Sequence, residues 1–523
     1  MIEIQPVAVL TRYSHHFTVS NIRKDAVRVA TEGVYNQFAH WQFGRRDDGS
    51  FGRMIGKHFA VKMIGRHGDA CYRFHINAWH TFCMALDGVG YGKDQFNIYE
   101  MPLYEPQPAN LTFGFAHALR EDQLAAHEYL MSAAPASKLV TAQTGTGKSV
   151  TATHALCAKA KRVLVIIRPM YIKKWIADLQ NLCGIPKERI VVVSGDKYPG
   201  ITVKPLQELL KCVTEDLPYD AIIISNKTIR RWLTKYIERG DKLLNEGYAI
   251  TPVELCERLG TNGYLVDERH QDFHLQFLMD LFTHAPETIG LTATLISDDP
   301  FITKMQSILH PPHTRAKKAA YNVYARVSSF HYWFKNPDRI RLVQFGSTSY
   351  SHTAFEDSIA RNPQVLKNYF DMVRLAVERY WNNNGKRVGD RCLIFFATIV
   401  MCSKFVAYLR AFYPHVNISR YCEGDPYENL IESDIAVSTV ISAGTAHDIA
   451  QLTAVIMTNV MKSSSSNWQV LGRLRDLKDG RNPYFVYFVG EDFGKHIDYH
   501  MAKQELFLTE KLPLFSYGYN PRL

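Results

Sequence analysis

Residues 142–149, with the sequence Ala-Gln-Thr-Gly-Thr-Gly-Lys-Ser, have the composition of a loop that holds a phosphate group. Its two glycines let the backbone wrap closely, so that N–H groups can point at phosphate oxygens. Lys148 would then reach the β- and γ-phosphates of a nucleotide, and Ser149 would ligate Mg²⁺. A strand-like run before the loop and a helical run after it favour this interpretation over an ordinary glycine-rich turn.

A phosphate loop alone fits kinases, GTPases and motor proteins alike, and the acid pair Asp267 and Glu268 distinguishes among them. The pair follows the apolar run at 263–266. Asp267 can hold the Mg²⁺, and Glu268 is then placed to orient and deprotonate a water molecule. An acid pair at a strand end favours hydrolysis over transfer to a bound acceptor. Without the phosphate loop, a surface acidic turn would be the better interpretation.

These residues need a scaffold, and the chain from about residue 139 onward supplies an alternation of β-branched runs with helical stretches. The alternation predicts βαβ units that form a parallel sheet buried on both faces. The first set of runs is KLVTA, RVLVIIRP, RIVVVSG, DAIIIS, GYLVDE and TIGLTAT. After a Pro- and charge-rich region at 309–322, the second set is IRLVQFG, RCLIFFAT, NISRYC, DIAVSTV, LTAVIMT and YFVYFVG. Two α/β lobes are therefore predicted.

Residues 1–110 differ from the rest, since they are rich in aromatic residues and histidine. They also hold a basic cluster, and we interpret them as a separate small α+β domain. The cluster consists of Arg45, Arg46, Arg53, Lys57, Lys62, Arg66 and Arg73. The predicted segments are a basic accessory domain at 1–110, a first lobe at 111–300, a linker at 301–340, a second lobe at 341–490 and a C-terminal extension at 491–523.

Length and composition limit the number of domains and the class of protein. The 523 residues predict about three domains, and no apolar run approaches the roughly 18–20 residues that a membrane span requires. The N-terminus lacks the layout of a secretion signal, and nine cysteines without a CxxC pair fit free thiols in a reducing cytosol. A cytoplasmic protein is therefore expected, and a monomer is the default for an architecture of this kind. The net charge of +10 fits either a solvated basic surface or a polyanion partner.

The phosphate loop and the acid pair resemble motifs I and II of the superfamily II helicases, and the likeness continues over roughly residues 115–490. The family's motif I also has Ala at the position of Ala142, and DERH at 267–270 resembles motif II of the DExH type. The other matches are VLVIIRPMYIKKW (163–175, motif Ia), IISNKTIRRW (223–232, a strand-contacting motif), GLTATL (290–295, motif III), RCLIFFATIVMCSKFVAYL (391–409, motif IV), STVISAGTAHDIAQLTAVI (438–456, motif V) and QVLGRLRDL (469–477, motif VI).

LREDQ at 119–123 resembles the family's adenine-reading Q motif, with Gln123 as the reader. The family often has an aromatic residue just before that glutamine, where this chain has Asp122. Stacking on adenine would therefore come from Phe113 or Phe115.

The resemblance implies an α/β fold of two RecA-like parallel-sheet lobes with ATP between them, preceded by the small α+β domain. Arg473 would be an arginine finger on the γ-phosphate, a contribution of about 10³–10⁵ in rate. Gln469 would sense the phosphate, and His270 would couple motif II to the facing lobe. The residues implied in ATP binding are Arg120, Gln123, Gln143, Thr144, Gly145, Thr146, Gly147, Lys148, Ser149, Gly444 and Arg475, with Ser149 and Asp267 holding Mg²⁺.

Motifs V and VI depart from the family pattern. The family's GRxxR has its second arginine where this chain has Asp476, and Arg475 stands one residue earlier, so Arg475 ranks below Arg473. Where many relatives have Gly-x-Asp in motif V, this chain has Gly444-Thr445-Ala446.

The resemblance also implies contacts to the nucleic-acid backbone. Backbone contacts position without reading sequence, so little sequence preference and a strong salt dependence are expected. The candidates are Arg168, Pro169, Lys173, Lys227 and Thr228 in the first lobe, Thr398, Thr439 and Ser442 in the second, and Arg45, Arg46, Arg53 and Lys57 in the N-terminal domain.

Within the superfamily, the arrangement is most similar to the UvsW-type helicases of bacteriophages, which have a small basic N-terminal domain and a Lys-Ser pair like Lys462-Ser463. This likeness implies ATP-driven remodelling of branched DNA: fork regression, junction migration, R-loop removal and strand annealing. The implied partners are branched or forked DNA, RNA–DNA hybrids, and replication or recombination proteins.

Other interpretations stay open. Cys71, His75, His80 and Cys83 have an uncommon spacing for zinc, and core packing is favoured. An ATP-switched nucleic-acid clamp or annealing protein would keep the same ATP-site motifs without processive unwinding. An RNA helicase is the remaining alternative, since the sequence does not settle DNA versus RNA.

Overall fold

The structure is a computed structural model, and the chain forms two compact units. The first unit comprises Met1–Ala142 and Thr146–Ala319, and the second comprises Gln143–Gly145 and Ala320–Leu523. The structure describes residues 6–45, 50–64, 69–114, 118–143, 145–212, 216–293, 295, 297–317, 322–345, 349–443, 449–477 and 479–523, with the backbone alone at 43–45 and 51.

The N-terminal part of the first unit is a small mixed α+β domain, as the sequence predicts. A five-stranded sheet with the order β5-β6-β2-β1-β7 packs against two helices, and a separate two-stranded hairpin stands beside it. The sheet strands are β1 (Val9–Arg12), β2 (His16–Ser20), β5 (Val61–Ile64), β6 (Ala70–His75) and β7 (Asn97–Glu100), the hairpin strands are β3 (Ala39–Arg45) and β4 (Phe51–His58), and the helices are α1 (Asp25–Asn36) and α2 (Trp79–Asp87).

The rest of the first unit is a parallel sheet of seven strands in the order β11-β10-β12-β9-β13-β14-β8. Its β-branched central strands are buried on both faces, as in parallel sheets covered by crossover helices. The strands are β8 (Ser137–Thr141), β9 (Val163–Ile167), β10 (Ile190–Val193), β11 (Thr202–Val203), β12 (Ala221–Ser225), β13 (Gly263–Val266) and β14 (Glu287–Thr292). All six strand runs predicted from sequence for this lobe are confirmed.

Helices connect these strands, and α4 and α5 carry part of the candidate site. In α5, buried residues recur at helical spacing, from Ile172 through Trp175 and Leu179, so one face of the helix lies on the sheet. The helices are α3 (Glu121–Met131), α4 (Lys148–Lys159), α5 (Ile172–Cys183), α6 (Leu206–Lys211), α7 (Asn226–Arg239), α8 (Leu255–Leu259), α9 (Phe273–Phe282) and α10 (Pro300–Leu309).

The second unit is built on another parallel sheet of seven strands, in the order β17-β18-β16-β19-β20-β15-β21. Its strands are β15 (Arg326–Tyr332), β16 (Arg391–Phe396), β17 (Ile418–Tyr421), β18 (Ile435–Thr439), β19 (Leu452–Met457), β20 (Tyr484–Gly490) and β21 (Leu514–Gly518). Its helices are α11 (His352–Arg361), α12 (Pro363–Val377), α13 (Ile399–Phe412), α14 (Glu428–Ile431), α15 (Val440–Ala443), α16 (Ser464–Leu471) and α17 (Gly494–Thr509). The predicted α/β fold with two parallel-sheet lobes of RecA-like type is confirmed.

One predicted strand of the second lobe is wrong. In the run at 340–346, the described residues form no strand, Val343 makes a single bridge to Tyr350, and Phe345 is fully exposed. The strand is instead β15, which pairs with both β20 and β21. Its Ser328 and Ser329 interrupt the apolar pattern in the sequence, but both are buried and their hydroxyls are hydrogen-bonded, to the hydroxyl of Tyr380 and the carbonyl of Phe515.

Two strands of this sheet come from segments that the sequence assigns to the linker and to the C-terminal extension, β15 and β21. Among the described residues, no helix combines the length and the apolar character needed to cross a membrane.

Candidate nucleotide-binding site

The phosphate loop runs from the end of β8 to the start of α4, where the sequence predicts it. Gly145 and Gly147 have φ angles of 87° and 82°, a left-handed conformation in which side chains are strained. Gly147 directly precedes α4, so the N-terminal end of this helix, which favours negative charge, adjoins the loop. Lys148 is buried and its Nζ donates to the carbonyl of Ala142 at 3.0 Å. Thr144 lies outside the described residues.

The predicted adenine-reading segment, residues 119–123, is hydrogen-bonded to the backbone of the phosphate loop. Gln123 is buried, its Oε1 accepts from the Arg120 N–H at 3.0 Å, and its Nε2 donates to the carbonyl of Thr146 at 3.0 Å. The Arg120 guanidinium donates to the same carbonyl and pairs with Asp122 at 2.9 Å. Gln123 therefore holds the loop backbone, while its role toward adenine stays a prediction. The Phe113 ring packs against His154, with centroids 4.5 Å apart, and Phe115 lies outside the described residues.

The acid pair follows β13, and Glu268 has a strained backbone. Its φ and ψ are 51° and 46°, a left-handed conformation that a residue with a side chain adopts at a cost. Strain of this kind is common at functional sites, where the surrounding structure enforces it. The Glu268 N–H donates to Asp267 Oδ1 at 2.9 Å. Asp267 is largely buried, and its Oδ2 accepts from Trp175 Nε1 at 3.1 Å.

Lys174, which sequence reasoning missed, joins the two predicted Mg²⁺ ligands. Its Nζ donates to Ser149 Oγ at 2.7 Å and lies 3.3 Å from Asp267 Oδ2. Burial lowers the pKa of Lys174, but Asp267 and Asp178 raise it above its ordinary value, so the ammonium stays charged. Because one positive charge reaches both oxygens, a single cation can touch both. Hydroxyl and carboxylate oxygens are the donors that Mg²⁺ prefers, so these residues fit the metal.

His270 joins the acid pair to the end of β14. Its Nδ1 lies 2.7 Å from Thr292 Oγ1 and 3.5 Å from Glu268 Oε2. Burial, together with the charges of Lys148 and Arg168, lowers the pKa of His270 to about 4. The imidazole is therefore neutral at pH 7. The structure thus brings together residues from the segments that resemble motifs II and III.

Arg269, which lies between Glu268 and His270 in the sequence, points into the interior of the first unit. It is 1% exposed, and its guanidinium lies 3.2 Å from the fully buried Asp280. A Cβ on Gly290 would lie 2.5 Å from the Arg269 Cδ, so glycine leaves room for this side chain. Tyr264 donates to Asp280, and His75 of the N-terminal domain lies 3.5 Å from it. Burial raises the pKa of Asp280, but Arg269 and His75 hold it well below its usual value.

Of the predicted nucleic-acid contacts of the first lobe, Arg168 is the one that contacts Asp272. Arg168 Nε donates to Asp272 Oδ2 at 2.8 Å, Asn226 donates to the same oxygen, and Arg230 lies 3.2 Å from Oδ1. Burial raises the pKa of Asp272, but Arg168 lowers it below its ordinary value. Arg168 is therefore committed to an internal ion pair. Of the other candidates, Lys173 and Lys227 are exposed, and Pro169 and Thr228 are half-buried.

In the second unit, Gln469 lies on α16 and Arg473 and Arg475 lie just after it. Gln469 and Arg475 are half-buried, whereas Arg473 is 6% exposed. The Arg475 guanidinium donates to the carbonyl of Gly472, and Asp476 is exposed. Gly444 lies outside the described residues.

Gln143, which belongs to the second unit, exchanges two hydrogen bonds with the backbone of Asn322, at 3.2 and 3.1 Å. Its role in nucleotide binding stays a prediction.

The predicted nucleic-acid contacts of the second lobe are hydroxyls at strand ends. Thr398 Oγ1 accepts from Met401 N at 3.2 Å and donates to the buried Glu356 at 2.9 Å. Burial raises the pKa of Glu356 to about 7. Thr439 Oγ1 lies 3.0 Å from Ser442 Oγ. The Thr398 hydroxyl thus caps α13, and the Thr439 hydroxyl also accepts from the Ser442 N–H at 3.3 Å, while their roles toward nucleic acid stay predictions.

In the N-terminal domain, Arg53 and Lys57 are exposed on β4. Arg45 is described by its backbone alone, and Arg46 lies outside the described residues. His75 is buried and His80 is exposed, so the two histidines of the zinc-like spacing have different surroundings.

Comparisons with known proteins give solved structures of superfamily II helicases as similar to this chain. The helicase domain of Hef from Pyrococcus furiosus is 12% identical, with a TM-score of 0.43, over 73% of this chain and 98% of that one. T4 UvsW is 11% identical, with a TM-score of 0.35, over 98% of this chain and 99% of that one. A variant of Dbp5 from S. cerevisiae bound to RNA and ADP BeF3 is 12% identical, with a TM-score of 0.48, over 76% and 89%. No protein-family model and no curated protein matches the chain.

In the first unit, the structure brings five predicted site residues close together: Lys148 and Ser149 on the loop and helix α4, and Asp267, Glu268 and His270 after β13. Lys174 could not be separated from Lys173 by sequence pattern, because both precede the same tryptophan. Only the orientation of α5, set by the buried Trp175, directs Lys174 toward the acid pair.

Proposed function

We propose that this chain is an ATP-dependent helicase or translocase of the superfamily II type that remodels branched DNA, by fork regression, junction branch migration and R-loop unwinding in phage replication, recombination or repair. The observation that carries the proposal is the convergence of Ser149 Oγ and Asp267 Oδ2 on one positive charge, 2.7 and 3.3 Å away. Their neighbours are a phosphate loop on one side and the strained Glu268 on the other.

In this account, the loop backbone and the first turn of α4 bind the nucleotide phosphates, and Lys148 leaves the Ala142 carbonyl for a phosphate oxygen. Ser149 and Asp267 would hold Mg²⁺, which when bound would neutralise charge on the phosphates. Glu268 orients a water molecule and accepts its proton. In this account, the left-handed backbone of Glu268 holds its carboxylate beside the end of β13, so the base is already oriented before water binds.

The neutral His270 lies between Glu268 and Thr292, at 3.5 and 2.7 Å, so in this account it couples the acid pair to the end of β14. On the second unit, the resemblance to superfamily II helicases assigns Arg473 the role of arginine finger and Gln469 that of phosphate sensor. Arg475 is the lesser candidate, because its guanidinium is bound to the Gly472 carbonyl.

DNA as the partner is supported by the net charge of +10 and by exposed cations on the N-terminal hairpin, Arg53 and Lys57. Lysines and arginines gain affinity by releasing counterions from phosphates, so binding should weaken steeply with salt.

The test is ATP hydrolysis against a panel of no nucleic acid, single-stranded DNA, duplex, forked DNA, four-way DNA, an R-loop and structured RNA, with Lys148→Ala as the blank. Stimulation by forked DNA, four-way DNA or R-loops supports the proposal. Stimulation by RNA alone would assign the chain to the RNA helicases. Binding of ATP with no turnover on any substrate would favour a clamp.

A further inference from the structure

A two-stranded hairpin of the N-terminal domain stands apart from the neighbouring sheet. Its strands, β3 (Ala39–Arg45) and β4 (Phe51–His58), pair with each other and, among the described residues, with no other strand. An isolated hairpin is marginally stable in water. Contacts at its root must therefore hold it in place.

The root of the hairpin is embedded in the aromatic interior of the first unit. Phe59, directly after β4, is fully buried, and its ring centroid lies 5.8 and 5.2 Å from those of Phe273 and Phe277 in α9. The ring of Phe301 in α10 lies 5.8 Å from it. Phe38, directly before β3, is also buried. Burial of such rings is the main source of stability at a contact of this kind.

Polar contacts tie each strand of the root to a different helix. On β3, His40 Nε2 lies 2.8 Å from Asp299 Oδ2, and Asp299 also caps the N-terminus of α10. On β4, the carbonyl of His58 accepts from His274 Nε2 of α9 at 2.9 Å. Helix α9 follows the acid pair, and α10 follows β14 and Thr292. The hairpin is thus bound to α9 and α10, the two helices that follow the candidate ATP-site segments in the sequence.

One face of the hairpin carries an exposed aromatic platform. Trp41 is 45% exposed, and Ile55, directly opposite in the register, is 42% exposed. The guanidinium carbon of Arg53 lies 4.9 Å from the centre of the Trp41 ring. All seven tryptophans fall among the described residues, and of these only Trp41 is exposed. A surface Trp–Arg pair can stabilise a hairpin by itself, which is the competing explanation.

The charge of the hairpin points to a polyanion. Residues 39–58 contain four lysines and arginines against two aspartates. A cation beside an exposed aromatic ring is the combination that binds single-stranded nucleic acid, because the ring stacks on a base and the cation holds a phosphate.

We infer that this hairpin is a nucleic-acid-binding element in which Trp41 stacks on an unpaired base at a DNA branch and Arg53 holds the adjacent phosphate. The inference rests on the proposed function and adds to it a specific site for the single-stranded part of the substrate. Because the root is fixed to α9 and α10, force on the hairpin from bound DNA reaches the helices next to the acid pair and Thr292.

The experiment uses the full chain and compares Trp41→Ala, Trp41→Phe and a matched control, Tyr99→Ala. Tyr99 is an aromatic residue of the same domain, 54% exposed on β7 and outside the hairpin. Binding is measured with a labelled fork that has a single-stranded arm and with a blunt duplex. Loss of one stacked base predicts a roughly five- to hundredfold weaker fork affinity for Trp41→Ala. Trp41→Phe should retain most of the affinity, and Tyr99→Ala all of it.

Tryptophan fluorescence of the wild type supplies a second readout that does not depend on how Trp41→Ala folds. Fork binding should quench the emission of the wild type, and Trp41→Phe should show little quenching although it binds. Equal fork affinity in Trp41→Ala and the wild type, or an equal loss on fork and duplex, would overturn the inference and leave the proposed function standing. A wild type that neither binds DNA nor responds to it in ATP hydrolysis would remove the proposed function as well.

Discussion

Lys174 Nζ lies 2.7 Å from Ser149 Oγ, so the ammonium group of α5 contacts the last residue of the phosphate loop. The same ammonium lies 3.3 Å from Asp267 Oδ2, so it contacts both residues that would hold Mg²⁺ in the proposed mechanism. Lysine and metal should therefore compete for these oxygens.

Removing this competitor is expected to strengthen Mg²⁺ binding. In Lys174→Gln, the Mg²⁺ concentration for half-maximal binding of a fluorescent ATP analogue should fall about fivefold, since a half-exposed ion pair contributes up to about 1 kcal/mol. The same variant should gain more thermal stability from Mg²⁺ than the wild type does. Lys173→Gln, on the exposed neighbour, is the control and should change neither quantity. An unaltered Mg²⁺ requirement in Lys174→Gln would show that the ammonium and the metal do not share a place.

The contact between His270 and Thr292 is expected to act as one unit. His270→Ala and Thr292→Val should each reduce DNA-stimulated ATP hydrolysis, and the double variant should be little worse than either single one. A coupling of about 1 kcal/mol in this cycle is expected for residues in direct contact. Additive losses would mean that the two side chains act separately.

Because the pKa of His270 is lowered to about 4 by burial and by Lys148, its titration should not shape activity near neutral pH. The rate of ATP hydrolysis by the wild type should therefore show no step near pH 6.5 that His270→Ala removes. Such a step would contradict a neutral His270.

Acid is expected to weaken the packing of the N-terminal domain on the first lobe. Burial lowers the pKa of His15 to about 4, while the nearby Asp280 acts in the opposite direction and His75 and Arg269 in the same direction. The folded pKa is thus below the unfolded value of about 6.5, so the contribution to stability is present above pH 6.5 and is lost as the pH falls toward 4. The loss per histidine at pH 5 is on the order of 2 kcal/mol.

Urea unfolding at pH 7 and pH 5 measures this effect. The free energy of unfolding should fall on acidification, and His15→Gln should lessen the fall. His80→Gln removes an exposed histidine of the same domain and should leave the fall unchanged. If His15→Gln and His80→Gln behave alike, burial of His15 is not what makes the domain acid-sensitive.

Much of the first lobe could be predicted from sequence because its signals are local. A strand such as β9 is a continuous β-branched run, and the glycines of the phosphate loop are required by its left-handed backbone. The strand β15 escaped prediction because its two central serines find partners that lie far along the chain, at Tyr380 and Phe515.

In the candidate site too, local sequence patterns predict some residues and tertiary contacts determine the others. The residues at strand ends and on the loop, Lys148, Ser149, Asp267 and Glu268, could be predicted from spacing. Lys174 and Arg269 could not, because the direction of each side chain depends on tertiary contacts, with the buried Trp175 beside one and the space left by Gly290 around the other.

The most direct test of the central claim, that Ser149, Asp267 and Glu268 form an ATP-hydrolysing site, is the rate of ATP hydrolysis by Glu268→Gln with ATP binding measured in the same sample. The substitution keeps the size of the side chain and its left-handed backbone but removes the base. General-base catalysis accounts for about 10²–10⁴ in rate, so hydrolysis should fall by at least a hundredfold while ATP still binds. Hydrolysis at the wild-type rate in Glu268→Gln would contradict the account.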